Sequence, residues 1–344
     1  MHQVANLDDA ERAALFRECA ARRGVPSPVI IEKDFWVCWI LKLLFGLEAP
    51  PRLLFKGGTS LSKGYALIDR FSEDVDLAID RADLGFGGDR DPAGISGTKA
   101  RQRALDALSK ETEAWITGEL LAQLRDPAVA GLSQAHTFEI DGLDQQTILF
   151  AYPPALQSGE YGGVRYVQPV VRLELGSRSD RTPTEEVEIQ SCIAEDFPSE
   201  FATPACIVTT LAPVRTFWEK ATILHAENHR PSREAIPRAW LRGSRHAYDL
   251  VMMARGRVAD QALGECLGLL EEVAIHKAAF FSSSWANYAG ARPGSLRLVP
   301  RGEYLSHLRR DYADMALMFL GPRPTFDELI AELKALERSV NRSR

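Results

Sequence analysis

The sequence predicts an α+β domain joined to a second, helical domain, and three observations carry that expectation. Asp74-Val-Asp-Leu-Ala-Ile79 alternates polar and apolar residues strictly, the period of a half-buried strand. Arg52-Leu-Leu-Phe55 is a short apolar run halted by Gly57-Gly58, a strand leading into a turn. After about Pro204 the strand-like runs give way to helical periodicity that continues to the end of the chain. At 344 residues the chain exceeds the usual size of one hydrophobic core, so the boundary is expected there, giving domains 1–203 and 204–344.

The elements follow in order. Residues 8–22 are rich in Ala, Glu, Arg and Leu and predict a first helix; Pro26 and Pro28 interrupt, and a second helix runs from about Val29 to Phe45. Pro50-Pro51 closes that segment before the strand 52–55. Ser60 to Ile68 reads as a helix with Leu61, Tyr65 and Ile68 on one face, followed by the strand 74–79. The glycine-rich stretch 81–98 is a loop, and a helix follows from about 99 to 124. Strands are expected near 137–140, 146–152, 164–174 and 186–193, making a mixed, mostly antiparallel sheet flanked by helices. Helices are expected at 214–227, 235–255, 259–280, about 304–319 and 324–339.

Composition narrows the class. An apolar share of 45% and a charged share of 26% are those of an ordinary globular chain. No apolar run reaches the roughly 18 residues that span a bilayer; the longest, Phe35 to Phe45, is broken by Lys42. The first residues carry Asp8, Asp9 and Glu11 and lack the layout of a secretory signal. Five scattered cysteines, with no CxxC pair, argue against disulfides and zinc and fit a reducing cytoplasm. The net charge of −6 is no general coat for nucleic acid. Yet nine Lys/Arg oppose four acids between Arg215 and Arg257, a local basic zone suited to one anionic ligand.

The chemistry centres on Asp74 and Asp76. Residues i and i+2 of a strand project from the same face, so the two carboxylates point together. Held that close they repel unless a cation sits between them. Magnesium takes hard oxygen ligands, commonly one or two carboxylates completed by substrate phosphates. Upstream, Gly57-Gly58 allows backbone amides to approach a phosphate, and the helix expected from Ser60 adds its positive end. Thr59 and Ser60 supply hydroxyls there, and Lys56 and Lys63 are nearby cations. The GxxxxGK[ST] spacing of the Walker loop is absent. Ser72 stands two residues before Asp74; a phosphate on it would bring about −1.5 to −2 charges beside the carboxylates. Glu174 shares a strand face with Arg172, opposite Val171, Leu173 and Leu175, and is read either as a third carboxylate or as a surface partner of Arg172.

The order GG[ST], helix, DxD on the next strand resembles the polymerase-β-like nucleotidyltransferase superfamily. Lys56-Gly-Gly-Thr-Ser-Leu-Ser-Lys-Gly-Tyr65 and Arg70-Phe-Ser-Glu-Asp-Val-Asp-Leu77 are similar to motifs of the AbiEii/AbiGii toxin family, which includes the MenT toxins. Ile31-Glu-Lys-Asp-Phe-Trp36, Glu219-Lys220, Arg245-His-Ala-Tyr-Asp249 and Asp311-Tyr-Ala-Asp-Met315 resemble further motifs of that family, in order. The resemblance implies a polymerase-β-like domain. It also implies transfer of a nucleoside monophosphate from a nucleoside triphosphate to an acceptor, which in characterised relatives is the 3′ end of tRNA. Carried over by position, Asp74 and Asp76 become ligands of Mg²⁺ (or Mn²⁺). Gly57, Gly58, Thr59 and Ser60 meet the triphosphate, with Lys56, Lys63 and Ser72 beside it, and Lys220 and Asp249 become active-site residues. A toxin of this kind implies an antitoxin encoded nearby; the chain itself is expected to act as a monomer.

Arg242, His246 and Asp249 fall at i, i+4 and i+7, one face of a helix. Arg242 and His246, with Arg245 and with Arg230 and Arg233 in the basic stretch 227–240, are the residues expected to meet the RNA acceptor. Glu32, Lys33 and Asp34 read as exposed charges beside a core edge, with Lys33 as an outside candidate for the site. Two rival readings keep the fold. One changes the acceptor to a protein or small molecule; the other makes the chain an inactive binding module, against which the joint presence of Gly57, Gly58, Asp74, Asp76, Lys220 and Asp249 argues.

Overall fold

The computed structural model describes residues 1–47, 51–72, 74–162, 168–231 and 242–343. They form two compact units, one of residues 1–64 and 71–210, the other of residues 65–70 and 211–344.

In the first unit, helices α1 (Asp9–Arg23) and α2 (Pro28–Phe45) open the chain. Asp8 caps α1 in a capping box with Glu11, and Gly24 ends it in the left-handed conformation that a residue with a Cβ would resist. Ser27 caps α2, and Pro28 takes the first turn, where its missing N–H costs nothing. Fifteen of the eighteen residues of α2 are buried, so this helix is core on every side. Trp36 stacks on Tyr152 at 5.4 Å and Trp39 on Phe150 at 5.3 Å, fixing it against the sheet. Glu32, Lys33 and Asp34 are therefore buried, contrary to the expected exposed triplet. An isolated helix shows where charges lie along it but not that every face will be covered.

The sheet has seven strands: β1 (Leu53–Lys56), β2 (Asp74–Ile79), β3 (Thr137–Asp141), β4 (Asp144–Ala151), β5 (Val170–Gly176), β6 (Thr184–Gln190) and β7 (Ala205–Leu211). Their order is β3-β4-β5-β2-β1-β7-β6. It is mixed: β1 runs antiparallel to β2 but parallel to β7, and β2 runs parallel to β5. β7 corrects the expectation of helix from Pro204 onward, for Ile207-Val-Thr-Thr210 is a β-branched run. The expected helix 60–68 shrinks to one turn at Gly57–Thr59 followed by a wider turn at Ser60–Gly64. Ala66, at φ 50°, leaves the helical region altogether. Helix α3 (Thr98–Trp115) continues through a wide turn at Ile116–Leu120 into a last turn at Leu121–Arg125.

The second unit is helical: α4 (Pro213–Glu227), α5 (Ser244–Ala254), α6 (Arg257–Leu263), α7 (Leu269–Phe280), α8 (Gly302–Asp314) and α9 (Phe326–Arg342). The single helix expected over 259–280 is two, α6 and α7, separated at Gly264 and Gly268. Of the helix expected over 235–255, residues 235–241 lie outside the described ones, and the rest is α5. Residues 65–70 join this unit through a Leu320 N–H donated to the Asp69 carbonyl at 2.9 Å and a bridge between Arg70 and Phe319. Among the described residues no helix is long and apolar enough to cross a membrane.

Candidate active site

In the first unit the candidate residues lie on β1, the turn that follows it and β2. Leu54 and Phe55 are fully buried and commit β1 to the core; the strand ends at Lys56, which stands opposite Asp76. Gly57 then adopts φ 80°, where only glycine sits without strain. A Cβ on Gly57 would lie 1.9 Å from Asp76 Oδ2 and 2.6 Å from its Cγ, so the carboxylate occupies the space that glycine leaves. Three hydroxyls knit the turn. Thr59 Oγ1 donates to the Asp74 carbonyl, Ser60 Oγ to the Gly57 carbonyl at 2.9 Å and Ser62 Oγ to the Thr59 carbonyl at 3.1 Å. Thr59 and Ser60 are buried, so in this arrangement their side chains serve the turn itself.

On β2 the alternation is realised: Val75 and Leu77 are fully buried while Asp74 and Asp76 are half-buried on the other face. The parallel neighbour β5 sets Arg172 opposite Asp74 and Glu174 opposite Asp76, bringing both onto the carboxylate face. Arg172 reaches Asp141 at 2.9 Å, Glu174 at 3.7 Å and Asp74 at 4.0 Å. Among the described residues no group of three or more His, Cys, Asp or Glu is arranged to hold a metal ion. The pair Asp74 and Asp76 still suits magnesium, which binds through one or two carboxylates and fills its shell with water and phosphate oxygens.

Of the cations expected near the turn, Lys56 is half-buried at the end of β1. Lys63 is committed elsewhere: its Nζ lies 2.6 Å from Asp34 Oδ1, and Asp34 Oδ2 accepts the Cys192 N–H at 2.7 Å. Burial pushes the Lys63 pKa down, but the Asp34 carboxylate overrides this and holds it above its ordinary value. Lys33 Nζ donates to the Gln168 carbonyl at 3.3 Å. Glu32 accepts from the Ala155 N–H and the Tyr161 hydroxyl, each at 2.6 Å, and burial raises its pKa. Ser72 is half-buried just before β2.

The second unit holds a buried ion network. Asp249, on α5, is fully buried; its Oδ1 accepts from Arg70 Nε at 2.6 Å and its Oδ2 from an Arg70 terminal nitrogen at 2.7 Å and Lys220 Nζ at 2.8 Å. Burial would raise the Asp249 pKa, but the two cations hold it well below the carboxylate range. Lys220, on α4, is pushed down by its burial against the opposing pull of Asp249. His246 is pushed far down by burial and by the charges of Lys220 and Arg245. Arg70 was missed in the sequence, although it opens the motif that contains Asp74 and Asp76. Its partner is 179 positions away, so only the folded chain reveals the pairing. Asp311 and Met315 of the last motif meet α5 as well: Asp311 Oδ2 accepts the Ser244 N–H at 2.7 Å, and Ser244 Oγ lies 2.9 Å from Met315 Sδ.

The residues expected to meet RNA divide. Arg242 is exposed and Arg245 and His246 are half-buried. Arg230 is held by Glu227 at 2.6 Å and lies 4.0 Å over the Trp285 ring, a packed position rather than an open one. Arg215 is fully buried, 3.6 Å from Glu219. Arg233 lies outside the described residues.

The family model described as nucleotidyl transferase AbiEii toxin, type IV TA system, matches residues 42–332. The chain belongs to the AbiEii toxin family. It is a nucleotidyltransferase toxin of a type IV toxin–antitoxin system, and membership implies a cognate antitoxin and a nucleoside triphosphate substrate. The matched span holds Gly57–Asp76, Lys220 and Asp249, while the Ile31–Trp36 stretch precedes it. Among solved structures the chain is similar to MenT4, a nucleotidyltransferase toxin from Mycobacterium tuberculosis H37Rv. The TM-score is 0.40 at 15% identity, over 96% of this chain and 99% of that one. No protein of curated function matches the AbiEii chain described here.

Proposed function

We propose that this toxin transfers a nucleoside monophosphate from a nucleoside triphosphate to the 3′ end of tRNA, using Asp74 and Asp76 to hold Mg²⁺ (or Mn²⁺). The observation that carries the reading is the Asp76 carboxylate seated over Gly57, at a spot where any side chain at 57 would collide with it. A strand carboxylate and a glycine turn in that relation offer backbone N–H groups and a metal ligand to one phosphate chain. Because the hydroxyls of Thr59 and Ser60 are occupied in the turn, the amides of Gly57 to Ser60 are the donors proposed for the triphosphate. Lys56 supplies positive charge at the mouth of the turn, and Ser72 stands at the entry to β2.

When held by Asp74 and Asp76, the ion would offset the negative charge of the phosphates and lower the pKa of the attacking hydroxyl. The chain's own contribution is positioning and charge neutralisation for in-line attack at the α-phosphorus, with pyrophosphate leaving. Glu174, opposite Asp76, is the candidate third carboxylate. Lys220 and Asp249 are proposed as the active-site residues of the helical domain. Asp249, whose pKa Arg70 and Lys220 hold well below the ordinary carboxylate value, is proposed to act by holding those two cations in place. Arg242, Arg245 and His246 are the proposed RNA-facing residues, and Arg230, fixed by Glu227, is the weaker member of that set.

The test is incubation with each α-phosphate-labelled triphosphate, Mg²⁺ and total tRNA. Label is expected in tRNA and is expected to vanish when the 3′ diol has first been destroyed by periodate. Label in protein, or label in tRNA that survives periodate treatment, overturns the proposed acceptor.

A further inference from the structure

Arg172 sits on the carboxylate face of the sheet, yet the nucleotidyltransfer reading gives it no task. It projects from β5 directly opposite Asp74, two register positions from the Asp76–Glu174 pair and on the same face. Among the described residues it faces three carboxylates, but only Asp141 lies at hydrogen-bond distance, 2.9 Å; Glu174 and Asp74 stand off at 3.7 and 4.0 Å. Asp141 is itself fixed, for its other oxygen accepts the Leu143 N–H at 3.0 Å across the tight turn between β3 and β4. The guanidinium is thus tethered at one end, and the side chain as a whole remains 39% exposed.

Stability does not account for this arrangement. Half-exposed ion pairs contribute about 0–1 kcal/mol, and three acids gathered on one cation repel one another. Electrostatics of binding does account for it. A triphosphate approaching Asp74, Asp76, Asp141 and Glu174 meets four negative groups, and a cation fixed among them removes much of that barrier. Arginine offers five N–H donors in a planar fork matched to phosphate oxygens, and one tether to Asp141 leaves most of them for a second anion.

We propose that Arg172 is a triphosphate-binding residue of this site and that Asp141 is the positioning residue that holds it there. The proposal rests on the reading of Gly57, Asp74 and Asp76 as the triphosphate site.

The test is equilibrium binding of a non-hydrolysable nucleoside triphosphate to the full chain, with and without Mg²⁺. Arg172→Gln is expected to weaken binding about tenfold or more in both conditions, the loss of one or more charge-assisted hydrogen bonds. Arg172→Lys should recover part of the loss, because it restores the charge but not the fork. Asp141→Asn, which leaves Arg172 in place but loosens it, should cost about threefold. In turnover the Arg172→Gln effect is expected in KM more than in kcat. Equal binding by wild type and Arg172→Gln overturns the proposal and leaves the site reading standing. Failure of the wild type itself to bind triphosphate overturns both. Should Arg172→Gln fail to fold, Asp141→Asn decides alone, and unchanged binding in that variant overturns the proposal.

Discussion

Gly57 concentrates two demands on one residue: a left-handed backbone at φ 80° and the absence of any atom where the Asp76 carboxylate lies. Gly57→Ala is therefore expected to be costly twice over. The backbone term alone is about 1–2 kcal/mol. The clash with Asp76 should turn the carboxylate away and lower nucleotide transfer at least about a hundredfold, an effect of several kcal/mol of lost charge stabilisation. Transfer assays on a variant whose melting curve shows it folded check this, and wild-type turnover in such a variant would show that the cradle is not the site. At this scale much was legible. Asp74 and Asp76, at i and i+2, do share the half-buried face of β2 opposite Val75 and Leu77. Arg70 was not legible, because its meaning depends on Asp249, 179 positions distant. Nor was the commitment of Lys63 to Asp34, since the apolar run 35–45 predicts a buried helix there but not burial of the charged triplet that precedes it.

Elements were read best where periodicity met a clear stop. The strand 74–79 was bounded correctly because strict alternation of polar and apolar residues is the pattern a half-buried strand imposes. Helix α4 was bounded to within a residue, and in the structure Pro213 takes its first turn. The helix expected over 60–68 failed because its apolar spacing was real but belonged to two different units, and Ala66, just past the division after Gly64, is in the left-handed region. Strand β7 was overlooked despite its β-branched residues, the change of composition after Pro204 having been given more weight. One consequence of element packing is open to measurement. His225, buried on α4, accepts the Arg297 N–H at Nδ1 and meets the Asn287 carbonyl at Nε2, each at 3.0 Å, so the neutral form with its proton on Nε2 fits. Burial, assisted by His229 and Arg297, lowers its pKa from 6.5 to about 4. The unfolded chain then binds the proton first, so this contribution to stability is intact above pH 6.5 and is lost as pH falls toward 4. His225→Gln keeps a donor and an acceptor but does not titrate. Its melting temperature should fall less steeply than that of the wild type over this window, and parallel curves would refute the assignment.

For the molecule as a whole, the mixed seven-stranded sheet with flanking helices and the AbiEii family are both settled. The fold class was legible because strand and helix periods segregate along the chain. Less legible was that residues 65–70 leave the first unit and pack with the second, for six residues carry no compositional signal of their own. Within that excursion Arg70 closes the ion network of Asp249 and Lys220, and four positions later Asp74 begins β2. The proposed function stands on the carboxylates of Asp74 and Asp76 as the centre of nucleotide transfer. Its most direct test is transfer of α-labelled phosphate to tRNA by Asp76→Asn, a change that keeps shape and removes charge. The expected result is a folded protein with transfer reduced at least about a hundredfold. Transfer at the wild-type rate would contradict it.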